Sequence, residues 1–243
     1  LEELCTEITW INALSPLGEE VHVYGCDIET LNIEGLKTLL SSTELTKAVA
    51  FRQPADANRF IAGRGITKKI LGYYAGTDAR QVIISPGKNG KPIANIDAGI
   101  VQPNFNISHS GNKVLIAFCN QMVGIDVELV KEMELESMAE LVFSEREHSI
   151  FRKSNDPINT FYYFWTRKEA LLKTVGVGLT DHLSSVDMSE AIDTDFVKTF
   201  TDQPLGLLSF TMQDHENYFA SLCYVKNTPS RFIRVTNELL SQL

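Results

Sequence analysis

The spacing of hydrophobic and polar positions changes several times along this chain, and each change marks an element. Val21-His-Val-Tyr-Gly-Cys-Asp-Ile28 reads as a strand. Residues 30–42 and 43–73 carry apolar positions at helical spacing, the second stretch being interrupted near Pro54, where the ring removes a backbone donor. Gln81–Ser85 is a β-branched run leading into the turn Pro86-Gly-Lys-Asn-Gly-Lys-Pro92. Asn104–Ser108, Lys113–Cys119 and Val123–Leu129 read as further strands. Ser144-Glu-Arg-Glu147 has the form of a capping box opening a short helix. Pro157 opens a longer helix that ends near Gly176, and residues 184–226 read mostly as strand. The succession is α+β rather than regular βαβ alternation.

Two segments echo two others. Gly25-Cys-Asp-Ile-Glu29 resembles Gly124-Ile-Asp-Val-Glu128, and Phe60-Ile-Ala-Gly-Arg-Gly-Ile-Thr-Lys-Lys69 can be laid on Phe164-Trp-Thr-Arg-Lys-Glu-Ala-Leu-Leu-Lys173. In each half a strand carrying Asp-x-Glu precedes a helix ending in Lys. Short segments also match by chance, but the natural reading is two similar lobes, 1–119 and 120–243, with a site between them. No Ser/Gly/Pro-rich linker separates them, so tight packing is expected rather than a free hinge.

Composition narrows the class. With 243 residues, 44% hydrophobic and 22% charged, the chain has an ordinary globular balance. No apolar run is long enough to span a bilayer, and the first residues lack the basic start and apolar stretch of a secretory signal. Cys5, Cys26, Cys119 and Cys223 are far apart and form no CxxC pair. Buried thiols in a reducing cytoplasm fit them better than disulfides or zinc. The net charge of −9 argues against nonspecific nucleic-acid binding. Residues 45–95 nevertheless hold nine basic side chains against Asp56 and Asp78, a local +7 that leaves −16 for the remainder. That segment reads either as a site for a small polyanion or as a solvated basic helix face.

Asp126 and Glu128 are two apart on a strand, so both carboxylates leave the same face. Like charges side by side repel, and a divalent cation relieves them; magnesium suits one or two protein carboxylates with water and phosphate completing its shell. The bland alternative is a polar strand face in water. Glu169 and Lys173 are four apart on the Pro157–Gly176 helix, which reads either as a surface ion pair or as a third carboxylate and a phosphate contact. At the position matching Glu169 the first half has Gly65, so if the repeat is real only the second half can assemble three carboxylates. Phe105-Asn-Ile-Ser-His-Ser-Gly111 ends a strand with a hydroxyl, an imidazole and backbone donors that suit phosphate oxygens. Adjacent strand residues face opposite ways, which argues against a Ser108–His109 catalytic couple. There is no GxSxG elbow, Walker loop or dinucleotide-binding glycine fingerprint.

Gly90-Lys-Pro92, Asn106-Ile-Ser-His-Ser110, Gly124-Ile-Asp-Val-Glu128 and Trp165-Thr-Arg-Lys-Glu-Ala-Leu-Leu-Lys173, in this order and spacing, resemble the surfactin-type 4′-phosphopantetheinyl transferases. The resemblance implies a pseudo-twofold pair of α/β lobes in a monomer. It implies that Asp126, Glu128 and Glu169 hold Mg²⁺ (or Mn²⁺), that Lys173 meets the pyrophosphate of coenzyme A, and that Glu169 also acts as general base. Ser108 and His109 resemble contacts to the coenzyme A phosphates, Lys91 and Pro92 the stretch near its adenine, and Arg59 a group near its 3′-phosphate. One position departs from the family: Glu44 stands where a second lysine is often found, with Lys47 matching the first. The implied reaction joins the phosphopantetheine arm to a serine of an apo acyl or peptidyl carrier protein in fatty-acid, polyketide or nonribosomal peptide synthesis. The expected setting is cytoplasmic, with neither membrane nor nucleic acid as partner. The rivals are another magnesium-dependent phosphoryl or nucleotidyl transferase, which a competing coenzyme A analogue would separate, and a non-catalytic carrier-binding module, against which the four site residues argue together.

Overall fold

A computed structural model describes residues 5–96, 103–177, 183–190, 192–213 and 216–243; the first four residues, on which part of the signal-segment reading rests, lie outside them. In chain order the elements are β1 (Trp10–Ile11), β2 (Val21–Asp27), α1 (Ile33–Lys37), α2 (Ser42–Val49), α3 (Pro54–Ala75), β3 (Ile83–Pro86) and β4 (Pro92–Asn95). There follow β5 (Asn104–Ser110), β6 (Lys113–Cys119), β7 (Val123–Leu129), α4 (Leu135–Val142), α5 (Glu145–Lys153) and α6 (Pro157–Val175). The last are α7 (Thr194–Lys198), β8 (Leu205–Gln213), β9 (Asn217–Val225), β10 (Ser230–Arg234) and α8 (Asn237–Ser241). Among the described residues no helix is long and apolar enough to cross a membrane.

The chain forms two compact units. The N-terminal unit joins Thr9–Gln121 to Pro229–Leu243, and the C-terminal unit joins Met122–Thr228 to the segment ending at Ile8. The sequence division at 119/120 therefore differs from the structure at both ends of the chain. The reason is strand pairing: β10 returns to lie parallel to β2, between it and β1. No local pattern announces such a pairing.

Each unit, taken by itself, has the same plan. In the N-terminal unit β2 is followed by the long helix α3 and the hairpin β5–β6, and β2 pairs antiparallel with β6. In the C-terminal unit β7 is followed by the long helix α6 and the hairpin β8–β9, and β7 pairs antiparallel with β9. Both long helices begin with proline at their first turn and end on a glycine in the left-handed region, Gly76 at φ 64° and Gly176 at φ 75°, the favoured start and stop for an α-helix. Both units also carry a short capped helix whose acid is buried against the long helix. Ser41 and Glu44 form a capping box on α2, and Glu44 Oε2 lies 3.0 Å from Lys68 Nζ. Ser144 and Glu147 do the same on α5, with Glu147 Oε2 2.7 Å from the fully buried Lys168 Nζ. The duplication read from two short segments is thus a duplication of topology.

Residues 183–204 correct the expectation of strand. A 3₁₀ turn spans Leu183–Ser185 and α7 follows, and strand begins only at Leu205. Lys168 explains the turn, because its ammonium donates to the carbonyls of Val142, Leu183 and Val186 at 2.6–2.8 Å. Carbonyls gathered around one cation are not free for a ladder. In 30–42 the α-helix is only the short α1, while 43–73 is interrupted before Pro54 as expected, giving α2 and α3.

The N-terminal unit holds a buried imidazole. His22 on β2 is 0% exposed; its Nδ1 is 2.7 Å from the Tyr74 hydroxyl on α3, and its Nε2 is 2.8 Å from Glu20 Oε1. Arg231 of β10 donates to the same carboxylate at 2.9 Å. Burial pulls the imidazole pKa below its ordinary 6.5, against the pull of Glu20. The unfolded chain therefore takes up a proton near pH 6.5 that the folded unit resists, so stability is complete above that pH and falls as pH drops through it. Thermal melts from pH 8 to pH 5 should show this decline, and His22→Gln should flatten it.

Candidate active site

The seam between β7 and α6 sets the site. Gly124 on β7 is approached so closely by the helix that a Cβ there would stand 2.4 Å from the Ala170 carbonyl oxygen and 2.5 Å from Thr174 N. Only glycine allows that approach. Thr174 Oγ1 donates to Ala170 O and to Cys223 O of β9, at 2.7 and 3.2 Å. With backbone and helix this close, Glu169 and Lys173 are carried against the Asp126 end of the strand.

Asp126 is 2% exposed and Glu169 8% exposed, while Glu128 is half-buried. Lys173 does not lie out in solvent as an ordinary helix-surface pair: its ammonium donates to Asp126 Oδ1 at 2.6 Å. Glu169 Oε1 is buried with no hydrogen-bond partner among the described residues. Burial first, and then the charges of Asp126 and Glu128, push the Glu169 carboxyl up to about 7, with Lys173 opposing. The Glu169 carboxyl thus lies within electrostatic reach of Asp126 and Glu128. Among the described residues no group of three His, Cys, Asp or Glu side chains stands ready to hold a metal ion, and the ammonium of Lys173 lies against Asp126. An oxygen-only donor set with a buried, unsatisfied carboxylate oxygen fits a hard divalent cation.

The counterpart in the N-terminal unit is closed. Asp27 Oδ1 is 2.5 Å from Lys113 Nζ, a neutralising partner from the neighbouring strand. Gly65, which the sequence register sets against Glu169, faces Leu36 of α1, and a Cβ there would meet Leu36 Cβ at 2.8 Å; the equivalent buried pairs Lys68–Glu44 and Lys168–Glu147 shift that register by four and put Lys69, again not a carboxylate, at the place of Glu169. Lys69, set against Lys173 by the sequence register, donates to Leu240 O of α8 at 2.8 Å. The sequence showed the missing carboxylate; the leucine and lysine that fill the place were not legible there.

Arg59, Lys91, Pro92, Ser108 and His109 belong to the N-terminal unit. Arg59 on α3 pairs with Asp56 and donates to the Gly111 carbonyl at 2.7 Å, which ties the start of α3 to the turn after β5. On β5, Ser108 is buried and His109 exposed, as alternation along a strand demands. Lys91 and Pro92 sit at the end of the β3–β4 hairpin, half-exposed, where Gly87 N donates to Lys91 O at 2.8 Å. Glu44, the departure from the family pattern, is 7% exposed and committed to its capping box and to Lys68. Of the cations near it, Lys47 and Arg64 both lie over the Phe60 ring, at 5.3 and 5.6 Å from its centre.

Comparison with known proteins gives the family. The model of the 4′-phosphopantetheinyl transferase superfamily matches residues 122–223, and that of the N-terminal region of 4′-phosphopantetheinyl transferases matches residues 31–121. The chain is 36% identical to the 4′-phosphopantetheinyl transferase HetI of Nostoc sp. over 183 residues, covering 70% of this chain and 76% of the relative. It is 33% identical to 4′-phosphopantetheinyl transferase psf-1 of Bacillus pumilus over 215 residues, or 87% and 91% of the two chains. With 4′-phosphopantetheinyl transferase Sfp of Bacillus subtilis the identity is 27% over 185 residues, or 70% and 81%. The chain belongs to the surfactin-type 4′-phosphopantetheinyl transferase family.

Proposed function

We propose that this chain moves the 4′-phosphopantetheine arm of coenzyme A onto a serine of an apo carrier protein, with Asp126, Glu128 and Glu169 holding magnesium and Lys173 meeting the pyrophosphate. The observation that carries the reading is the buried carboxylate cluster closed by Lys173, on the motifs that define the family. The carrier serine attacks the β-phosphorus, the phosphoanhydride bond breaks, and 3′,5′-ADP leaves. Glu169, held near neutral proton affinity by burial and by its acidic neighbours, takes the serine proton. Lys173 compensates charge growing on the bridging oxygen. The cation, when bound, supplies Lewis-acid stabilisation to the phosphate oxygens.

For coenzyme A we assign Arg59, Lys91, Pro92, Ser108 and His109 as contacts, with the exposed imidazole of His109 and the cations of the basic 45–95 segment facing phosphate. For the carrier we assign the Glu132–Phe151 segment. Met133, Leu141 and Ile150, all on it, are exposed large hydrophobics, and an apolar patch suits docking where global charge cannot steer, both partners being acidic.

Three outcomes follow from these roles. Glu169→Gln should slow single-turnover modification of an apo carrier roughly a hundredfold, yet melt at or above the wild-type temperature without divalent ions, since it relieves repulsion among the acids. Lys173→Met should be as slow but melt lower, because Asp126 loses its buried counter-charge. Near-normal rates in both would rule out the site. By titration calorimetry, Asp126→Asn should abolish Mg²⁺ or Mn²⁺ binding while Asp27→Asn leaves it intact; the reverse would place the ion in the other half. Lys91→Glu should weaken coenzyme A binding, more at low than at high salt, and an unchanged affinity would remove Lys91 from the contact set.

A further inference from the structure

Beside the carboxylates runs a buried line of hydroxyls. Thr166 and Ser221 are 0% exposed, Ser209 3% and Arg167 7%. Strand register sets Asp126 of β7 opposite Ser221 of β9, and Ser221 opposite Ser209 of β8. The three side chains thus form one row across the sheet. Thr166 Oγ1 is 2.9 Å from Ser221 Oγ, Ser221 Oγ is 3.1 Å from Ser209 Oγ, and Arg167 Nη1 donates to Ser209 Oγ at 3.4 Å.

Thr166 Oγ1 has backbone acceptors in Tyr162 O at 2.9 Å and Tyr163 O at 3.4 Å; in the order in which its one hydrogen goes to them, it accepts from Ser221. Ser221 having given its hydrogen to Thr166, it accepts from Ser209. Ser209 in turn accepts from Arg167, whose guanidinium can only donate. In that order the line runs from Arg167 to Ser209 to Ser221 to Thr166 to the helix backbone. A cation begins it and a helix carbonyl ends it. Arg167 is held in place by the Tyr163 ring, 4.8 Å away. Charge-assisted donation at one end orients every hydroxyl after it.

Thr166, Ala170 and Thr174 are four apart and share a helix face. Thr166 is tied to Ser221, Ala170 lies over Gly124, and Thr174 is tied to Cys223. Glu169 and Lys173 sit between these three fastenings. Van der Waals contact at Gly124 sets how close α6 comes, but an apolar contact does not fix rotation about the helix axis. Directional hydrogen bonds do. We infer that Thr166, Ser221, Ser209 and Arg167 are positioning residues that set the rotation of α6, and with it the placement of the Glu169 carboxylate against Asp126. The inference rests on the proposed roles of those two carboxylates.

The test compares Thr166→Val, which keeps shape and removes the hydroxyl, with Thr166→Ser, which keeps the hydroxyl, and with Ser221→Ala. Mn²⁺ affinity without coenzyme A or carrier, read by electron paramagnetic resonance, is measured beside single-turnover carrier modification and thermal melting. Val197→Ala, a buried truncation on α7, serves as a control for lost stability. Thr166→Val and Ser221→Ala should weaken Mn²⁺ binding and slow transfer by roughly tenfold or more, as removal of groups that orient ligands does. Thr166→Ser should restore both, and Val197→Ala should lower the melting temperature alone. If Glu169→Gln and Asp126→Asn lose Mn²⁺ while Thr166→Val binds it and reacts like wild type, the positioning role is overturned and the site reading stands. If Glu169→Gln and Asp126→Asn bind and react normally, the site reading fails and the positioning role fails with it.

Discussion

A carboxylate as buried as Asp126 must be neutralised where it stands, and in this protein the counter-charge comes from a helix rather than from water. Lys173 reaches it at 2.6 Å because α6 lies almost in backbone contact with β7. That contact depends on Gly124, where any side chain would collide with Ala170 O and Thr174 N. Gathering Glu169 and Glu128 near the same charge costs stability through repulsion and lost hydration. Three acids against one ammonium at a tight seam leave the cluster short of positive charge.

The two halves show how one plan gives two outcomes. Each has a strand, a Pro-to-Gly helix and a hairpin in the same pairing, and each buries a lysine of the long helix against a capping-box glutamate. The ends of the plan differ. In the N-terminal unit Lys113 neutralises Asp27 from the neighbouring strand, Leu36 fills the space at Gly65, and Lys69 turns to a carbonyl of α8. Asp27 there already has a protein counter-charge. The other half keeps its unsatisfied Glu169 oxygen.

Sequence alone determined the elements whose signals are local. Pro157 and Gly176 bracketed α6 because a proline start and a glycine stop act within one turn. The capping box at Ser144 and Glu147 and the strand Val123–Leu129 were legible for the same reason. The pairing of Asp126 with Glu128 on one strand face and of Glu169 with Lys173 on one helix face was legible too: spacings of two on a strand and four on a helix put side chains on one face before any tertiary contact exists.

Tertiary structure decided what depends on partners far along the chain. The apolar residues at 183–188 suggested strand, yet Lys168 draws their carbonyls into a turn from a helix one loop away. The return of β10 to β2, which assigns the last fifteen residues to the N-terminal unit, is a parallel pairing across some two hundred positions. Glu44 stood out in sequence as a departure from the family's second lysine, and only packing shows it as the buried partner of Lys68. Lys173 likewise looked like the partner of Glu169, four residues away, whereas the fold gives its ammonium to Asp126. Local rules fix which face a charge leaves by; which opposite charge it meets is set by the approach of separate elements, and that distance is written in no single stretch of chain.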